Sequence, residues 1–248
     1  MDKIDFHTLT YCLEIVIGDE MKYIVANWKS NKKFEDVWLW FDGFKQFFYP
    51  VEGEEIVLAP SFPYLYEAQK KKLELGLTQL KLAAQDISPF PFGAYTGAVS
   101  AEMLKGVVNY AIVGHSERRA YFHETNQEIA NKVHQLHEQA ITPILCVDAD
   151  YAKEQIRSLE QTDVSNLIVA YEPLSAIGSG KPQEPEEVKK VVAEIAELLE
   201  KETPILYGGS VNPDNAHSYL KLESVSGLLV GGASLDPEKF AKLAGKAI

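Results

Sequence analysis

The chain has 248 residues, 46% of them hydrophobic, and a formal net charge of -12. This length suits one large α/β domain or two small ones. The negative charge argues against broad nucleic-acid binding and against anionic membrane surfaces, but local donors can still bind a small anionic ligand. No apolar run approaches 18 residues, so we expect no transmembrane helix. Two cysteines, Cys12 and Cys146, match no metal or redox spacing. They indicate ordinary thiols in a reducing compartment, and hence a cytoplasmic protein.

The first 20 residues differ from the rest of the chain. They carry five acidic residues and one lysine, and their apolar stretch 11–17 is broken by Glu14. They lack the basic region and small-residue cleavage site of a signal peptide. We expect either that Met21 is the functional start or that residues 1–20 are an appendage to a domain spanning 21–248.

Strand-like and helix-like segments alternate from residue 22 onward. Short apolar runs predict strands at 23–28, 56–59, 80–85, 110–113, 143–147, 167–171, 205–207 and 228–230. Helical spacing and end signals predict helices at 34–48, 64–75, 100–105, 123–139, 151–159, 184–200, 214–220 and 237–244. Eight such units without a linker predict a single-domain, closed (β/α)8 barrel. An open doubly wound sheet is the alternative, and it is less favoured because no G-x-G-x-x-G follows the first strand.

In a (β/α)8 barrel, functional residues lie where strands end. Glu172 ends the sixth predicted strand, and a loop with Pro173, Gly178 and Gly180 follows it. A carboxylate followed by a loop that can hinge at both ends is what a covered general base requires. The alternative is a solvated glutamate that starts an ordinary βα loop.

Asn27 and Lys29 end the first predicted strand. Because alternate residues of a strand share a face, both side chains can point into the barrel mouth. A lysine there is a cationic donor for an anionic substrate, although a surface lysine at a strand exit is the alternative.

His115 ends the fourth predicted strand, just before a predicted helical turn with Ser116 and Glu117. A helix N-terminus favours the neutral imidazole, which can donate a hydrogen bond to a carbonyl oxygen. A structural histidine is the alternative. Glu117 is either a helix-start acid or the ion-pair partner of Lys29.

Paired glycines follow the last two predicted strands, in the segments 207–211 and 230–234. Glycines there allow backbone N–H groups to approach a ligand closely, and this part of a barrel commonly binds phosphate. Together with the base, the histidine, the lysine and the loop, they fit proton abstraction next to a carbonyl in a small phosphorylated sugar.

The sequence resembles the triosephosphate isomerase family. The matching segments are 26–29, 112–119, 170–173, 176–181, 207–211 and 227–235, in the family's order. The resemblance implies a TIM barrel that interconverts dihydroxyacetone phosphate and D-glyceraldehyde 3-phosphate in glycolysis and gluconeogenesis, with no cofactor or metal.

The resemblance also implies residue roles. Glu172 is expected to be the base that moves the proton between the two carbons, and Lys29 and Asn27 to stabilise the enediolate. His115 is expected to polarise the carbonyl and to shuttle protons between the oxygens. The residues expected to hold the phosphate are Gly178, Ser210, Gly231 and Gly232. The expected lid consists of Pro173, Leu174, Ser175, Ala176, Ile177, Gly178, Ser179, Gly180 and Lys181, and it excludes water so that the enediol phosphate does not eliminate phosphate.

Supporting residues follow from the same resemblance. Thr96 lies in the loop that enters a second subunit in the family, which implies a homodimer. Tyr207 and Ser210 match residues that hold the closed lid, and Cys146 matches a cysteine near the catalytic glutamate, which we interpret as structural. We expect no nucleic-acid and no membrane partner.

Four positions depart from the family pattern. Ser175 and Ala149 stand where the family usually has a lid tryptophan and an acid that meets it, so we expect altered lid kinetics with unchanged chemistry. Ala98 and Asp86 replace an acid and an asparagine of the dimer loop, which leaves the strength of the dimer contact open.

Two further functions are alternatives. One is a barrel enzyme for another sugar phosphate, such as phosphoribosyl isomerisation or indole-glycerol phosphate synthesis. The other is a non-catalytic relative that binds phosphate ligands or a protein partner. The intact segments around His115 and Glu172 argue against both.

Overall fold

The computed structural model describes residues 21–159, 165–173, 181–199 and 202–245. The expected extension 1–20 and lid residues 174–180 lie outside the described residues. Within the described parts of the chain, no helix is long and apolar enough to cross a membrane.

Eight parallel strands form a closed barrel in sequence order. The strands are β1 (Lys22–Asn27), β2 (Glu54–Ala59), β3 (Leu80–Ala84), β4 (Tyr110–Val113), β5 (Thr142–Val147), β6 (Ile168–Tyr171), β7 (Ile205–Tyr207) and β8 (Gly227–Val230). Strand β1 pairs with both β2 and β8, so the sheet has no free edge. The predicted (β/α)8 barrel is therefore confirmed, and the open sheet is wrong.

The helices lie between the strands in sequence. They are α1 (Phe34–Phe47), α2 (Leu65–Glu74), α3 (Ala101–Leu104), α4 (Ser116–Tyr121), α5 (Asn126–Glu138), α6 (Ala152–Arg157), α7 (Pro185–Ala196), α8 (Ala216–Leu220) and α9 (Pro237–Leu243). Short 3-10 turns span Phe62–Tyr64 and Gly232–Leu235.

The helix predicted at 123–139 begins later than expected, at Asn126. A capping box sets this start: the Thr125 hydroxyl accepts the Glu128 N–H at 3.2 Å, and the Glu128 carboxylate accepts the Thr125 N–H at 2.8 Å. His123 has a φ of 56°, which is incompatible with the predicted helix.

Two apolar clusters hold the barrel together. Inward side chains of the strands fill the lumen, among them Val25, Ile112 and Ile144. The opposite faces of the strands pack against the helices, where Trp40 of α1 stacks on Phe44 with ring centroids 4.8 Å apart. Burial of each large apolar side chain stabilises the folded state by about 1.5–3 kcal/mol. This packing holds the strand ends in fixed positions.

Because all strands are parallel, their carboxyl ends lie at one rim. The residues that follow β1, β4, β6, β7 and β8 therefore converge there.

Candidate active site

A cavity of about 730 Å³ opens at the carboxyl ends of the strands. It is lined by Asn27, Lys29, His115, Glu172, Gly208, Gly209, Ser210, Val211, Asn212, Pro213, Asp214, Leu229, Gly231, Gly232, Ala233, Lys239 and Lys242. It thus brings together all four residues predicted to be catalytic and three of the four predicted to hold phosphate. The fourth, Gly178, lies outside the described residues.

Glu172 is 2% exposed, so the interpretation as a solvated loop residue is wrong. One carboxylate oxygen lies 2.8 Å from His115 Nε2, and the other accepts the Ser116 N–H at 2.9 Å. Burial raises the pKa of this carboxyl, but His115, the Ser116 N–H and Lys29 together outweigh burial and leave the pKa below its usual value. The group is therefore an ionised carboxylate at neutral pH, as a general base must be.

His115 caps the N-terminus of α4 through its side chain. Its Nδ1 accepts the Glu117 N–H at 3.2 Å, so Nδ1 carries no proton. In the neutral imidazole the proton is then on Nε2, which donates to Glu172 at 2.8 Å. The histidine therefore presents an N–H donor directly beside the carboxylate.

Lys29 is held in place at both its backbone and its ammonium group. The ammonium lies 2.6 Å from a Glu117 carboxylate oxygen, as the ion-pair prediction required. The backbone has a φ of 52°, which is rare for a residue with a side chain. The Lys29 N–H donates to Asn27 at 3.0 Å, and the Lys29 carbonyl accepts from the Ser61 hydroxyl at 2.9 Å and from the Gln85 amide at 3.0 Å. These bonds keep the side chain in the cavity.

The glycine pairs bring backbone close to the ionised groups. A Cβ at Gly208 would lie 3.2 Å from Cγ of Glu172, and one at Gly209 would lie 2.2 Å from the Tyr207 hydroxyl. At Gly232 no atom of the described residues lies within 4 Å of that position. A Cβ at Gly231 would be 3.9 Å from Lys29 Nζ. The described residues therefore leave space beside the Gly232 backbone, in the cavity that Lys29 also lines.

Cys146 and Tyr207 support this centre. The Cys146 thiol is buried, and burial together with the nearby Glu172 carboxylate raises the pKa of the thiol, so it stays protonated. This agrees with a structural cysteine. Tyr207 is buried, and its hydroxyl accepts the Gln183 N–H at 3.1 Å, two residues beyond Lys181.

The loop that carries Thr96 has an exposed tip, where Phe90 stacks on Tyr95 with centroids 4.7 Å apart. Its base is different. Asp86 is buried there, 2.6 Å from Lys132 Nζ and 2.8 Å from an Arg118 nitrogen.

Glu124 completes a group of four charges, since it contacts both Arg118 and Lys132. We call these four residues, Asp86, Arg118, Glu124 and Lys132, the loop-base charge cluster. Burial raises the pKa of Asp86 to about 6, although Lys132 and Arg118 oppose the rise. Of the other departures from the family pattern, Ala149 is exposed and Ala98 is half-buried, while Ser175 lies outside the described residues.

Several site residues escaped the sequence analysis. Ser116 was noted only as part of a helical turn, although its N–H binds the carboxylate of Glu172. Gln85 ends the third predicted strand, so the strand-end rule pointed to it, but nothing in the sequence indicates its bond to the Lys29 carbonyl. Lys239 and Lys242 line the cavity, and their only sequence signal is a three-residue spacing on the helix after the final glycine pair.

Comparison with known proteins identifies the family. The sequence model described as triosephosphate isomerase matches residues 22–247. The chain belongs to the triosephosphate isomerase family. The triosephosphate isomerase of Thermus thermophilus is 41% identical over 244 residues, covering 89% of this chain and 96% of that protein. The Aquifex aeolicus enzyme is 41% identical over 246 residues, covering 90% and 98%.

A third relative comes from a mycoplasma. The triosephosphate isomerase of Mesomycoplasma hyorhinis is 39% identical over 236 residues, covering 89% of this chain and 96% of that protein. Membership of the family confirms the resemblance that the sequence segments indicated.

Proposed function

We propose that the chain is an aldose–ketose isomerase that interconverts dihydroxyacetone phosphate and D-glyceraldehyde 3-phosphate, a reaction of glycolysis and gluconeogenesis. The observation that carries the mechanism is the buried Glu172 carboxylate, 2.8 Å from His115 Nε2 in a cavity shared with Lys29. Family membership supports the substrate, and the geometry supports the residue roles.

Glu172 takes a proton from the carbon next to the carbonyl and returns it to the neighbouring carbon. The electron pair of the broken C–H bond forms the enediolate double bond, and the carbonyl oxygen becomes negative. The Nε2–H of His115 donates its proton to that oxygen, and His115 then takes the proton of the neighbouring hydroxyl, whose oxygen becomes the new carbonyl oxygen. The Lys29 ammonium and the Asn27 amide stabilise the negative charge of the enediolate between these two transfers. Each group lines the same cavity.

In the free enzyme both oxygens of Glu172 are occupied, one by His115 and the other by the Ser116 N–H. Substrate must therefore displace the carboxylate from at least one donor. When the carboxylate moves to the substrate carbon, the His115 N–H becomes available to the substrate oxygen. One donor thus serves the base in the free enzyme and the substrate during the reaction.

The backbone of Gly231 and Gly232, with Ser210, is the proposed phosphate site. These residues line the same cavity as Lys29. Gly178 and the lid from Pro173 to Lys181 are proposed to close over the phosphate, because an enediol phosphate left in water would eliminate phosphate. An activity on another sugar phosphate is less compatible with membership of the family. A non-catalytic, ligand-binding role does not account for the buried Glu172–His115 pair.

We propose further that the enzyme is a homodimer formed through the loop that carries Thr96. Large apolar side chains at its tip are exposed, with Phe92 at 66%. A groove of about 490 Å³ lies beside the base of this loop, between Phe62 and Phe122. Exposed apolar side chains clustered at a loop tip are typical of contact surfaces. The cytoplasmic location stays a prediction from the sequence.

The test compares the wild-type chain with Glu172→Gln in both reaction directions. We expect kcat to fall about 10³-fold, because the amide cannot take up a proton. Calorimetric binding of glycerol 3-phosphate, which has no carbonyl, should be retained and would exclude misfolding. Glu194→Gln removes an exposed carboxylate from α7 and is the matched control, with unchanged kcat. If Glu172→Gln keeps kcat within tenfold of the wild type, Glu172 is not the base.

A further inference from the structure

Three lysines line the active-site cavity, and two of them are paired with an acid. Lys29 lies 2.6 Å from Glu117, and Lys242 lies 2.7 Å from Glu238. The ammonium of Lys239 has no carboxylate partner in the described parts of the chain. Among the described residues that line this cavity, Lys239 is the cation whose charge is least compensated.

Lys239 also lies close in sequence to the proposed phosphate site. The 3-10 turn Gly232–Leu235 leads directly into α9, and Asp236 caps that helix by accepting the Lys239 N–H at 3.0 Å. The backbone of Lys239 is therefore fixed relative to the turn. Lys242 lies three residues further along, so the two lysines share one face of α9.

Helix stability does not explain a lysine at this position. A cation in the first turn of a helix opposes the helix dipole, and acids are preferred there. The side chain of Lys239 is exposed. Its location at the cavity places the charge where an anionic ligand enters.

The charge of the whole protein makes such a cation useful. The chain has a net charge of -12, and Glu172 and Asp214 add negative charge to the cavity wall. A phosphate monoester carries about -1.5 to -2 charges at pH 7, so the protein as a whole repels it. A local cation at the mouth offsets part of this repulsion where the ligand must enter.

We infer that Lys239, assisted by Lys242, captures the phosphate group of the substrate and raises the rate of productive encounter without taking part in proton transfer. This inference deepens the proposed function and rests on it for the identity of the substrate. The ligand class is a small phosphate monoester dianion. The effect belongs to kcat/KM, while kcat is set by Glu172 and His115.

The test measures kcat/KM for glyceraldehyde 3-phosphate as a function of ionic strength, from about 10 mM to about 300 mM, where screening becomes strong. Lys239→Gln should lower kcat/KM about threefold to fivefold at the lowest ionic strength, with kcat unchanged. The loss should shrink as salt is added. In the double variant Lys239→Gln/Lys242→Gln, kcat/KM should depend even less on ionic strength. In Lys239→Arg, the wild-type dependence of kcat/KM on ionic strength should be retained.

The matched control is Lys190→Gln on α7, which removes the same charge from a side chain that is 78% exposed. If Lys190→Gln changes the salt dependence as much as Lys239→Gln, only net charge matters and the inference is wrong. An unchanged salt dependence in Lys239→Gln also overturns it.

Calorimetric titration with inorganic phosphate separates this inference from the proposed function. Weaker phosphate binding by Lys239→Gln than by Lys190→Gln supports capture even if the wild-type chain turned out not to isomerise triose phosphates. Equal binding by the two variants would contradict capture. A lack of turnover by the wild-type chain would instead overturn the proposed function.

Discussion

Asp86→Asn tests whether the ionised, buried carboxylate of Asp86 destabilises the folded state. Asp86 lies in the loop-base charge cluster with an exposed fraction of 8%, and burial raises its pKa from 3.8 to about 6. Asparagine has nearly the same shape as a protonated aspartic acid but cannot ionise. The substitution therefore removes the ionisation of Asp86 and leaves the packing almost unchanged.

The sign follows from proton linkage. Because the folded state binds the proton more tightly than the unfolded state, the contribution of Asp86 to stability is fully present below pH 3.8 and declines as pH rises through 6. At about 1.4 kcal/mol for each pKa unit, the full loss is about 3 kcal/mol. Roughly half of it, about 1.4 kcal/mol, falls between pH 5 and pH 8.

Urea unfolding at pH 5 and at pH 8 measures this difference. The stability of Asp86→Asn relative to wild type should rise by about 1.4 kcal/mol between the two pH values. Asp42→Asn, at a side chain that is 56% exposed, is the control and should show little change. The reasoning is refuted if the stability of Asp86→Asn relative to wild type is the same at both pH values, or is lower at pH 8. Either result would mean that Lys132 and Arg118 outweigh burial.

Two further predictions concern a buried and a half-buried polar group. Lys132→Met should lower the free energy of unfolding by about 3–5 kcal/mol in urea titrations, because the buried carboxylates of the cluster lose the more deeply buried of their two cations. The control Lys190→Met should change the free energy of unfolding by less than about 1 kcal/mol. Equal effects would show that the cluster does not stabilise the fold. Gln85→Ala should lower kcat/KM about tenfold by freeing the strained backbone of Lys29, with Gln85→Glu, whose carboxylate would face two carbonyls, at least as impaired. Steady-state kinetics at wild-type values would show that the Gln85 amide does not position Lys29.

The barrel and the centre of its site were predictable because both depend on local patterns. Short apolar runs predicted all eight strands of the barrel. Because the strands are parallel, their carboxyl ends must lie at one rim. That rule selected Lys29, His115 and Glu172, which the structure brings to one cavity. The start of α5 was missed although the Thr125–Glu128 capping box is visible in the sequence.

What was missed depends on tertiary contacts. Gln85 binds a carbonyl 56 residues away in sequence, and no local pattern records that bond. The pKa of Asp86 depends on burial by segments that meet only in the folded chain. Lys239 is an ordinary helical lysine in sequence, and only the cavity distinguishes it from other lysines of the surface.

Deuterium exchange tests the role of Glu172 most directly. When dihydroxyacetone phosphate is incubated with the enzyme in D2O, a carboxylate base that holds the substrate proton can exchange it with solvent. Proton NMR should therefore show deuterium at the reacting carbon with the wild-type chain, and incorporation about 10³-fold slower with Glu172→Gln. Incorporation by Glu172→Gln within tenfold of the wild-type rate would contradict the assignment of Glu172 as the base.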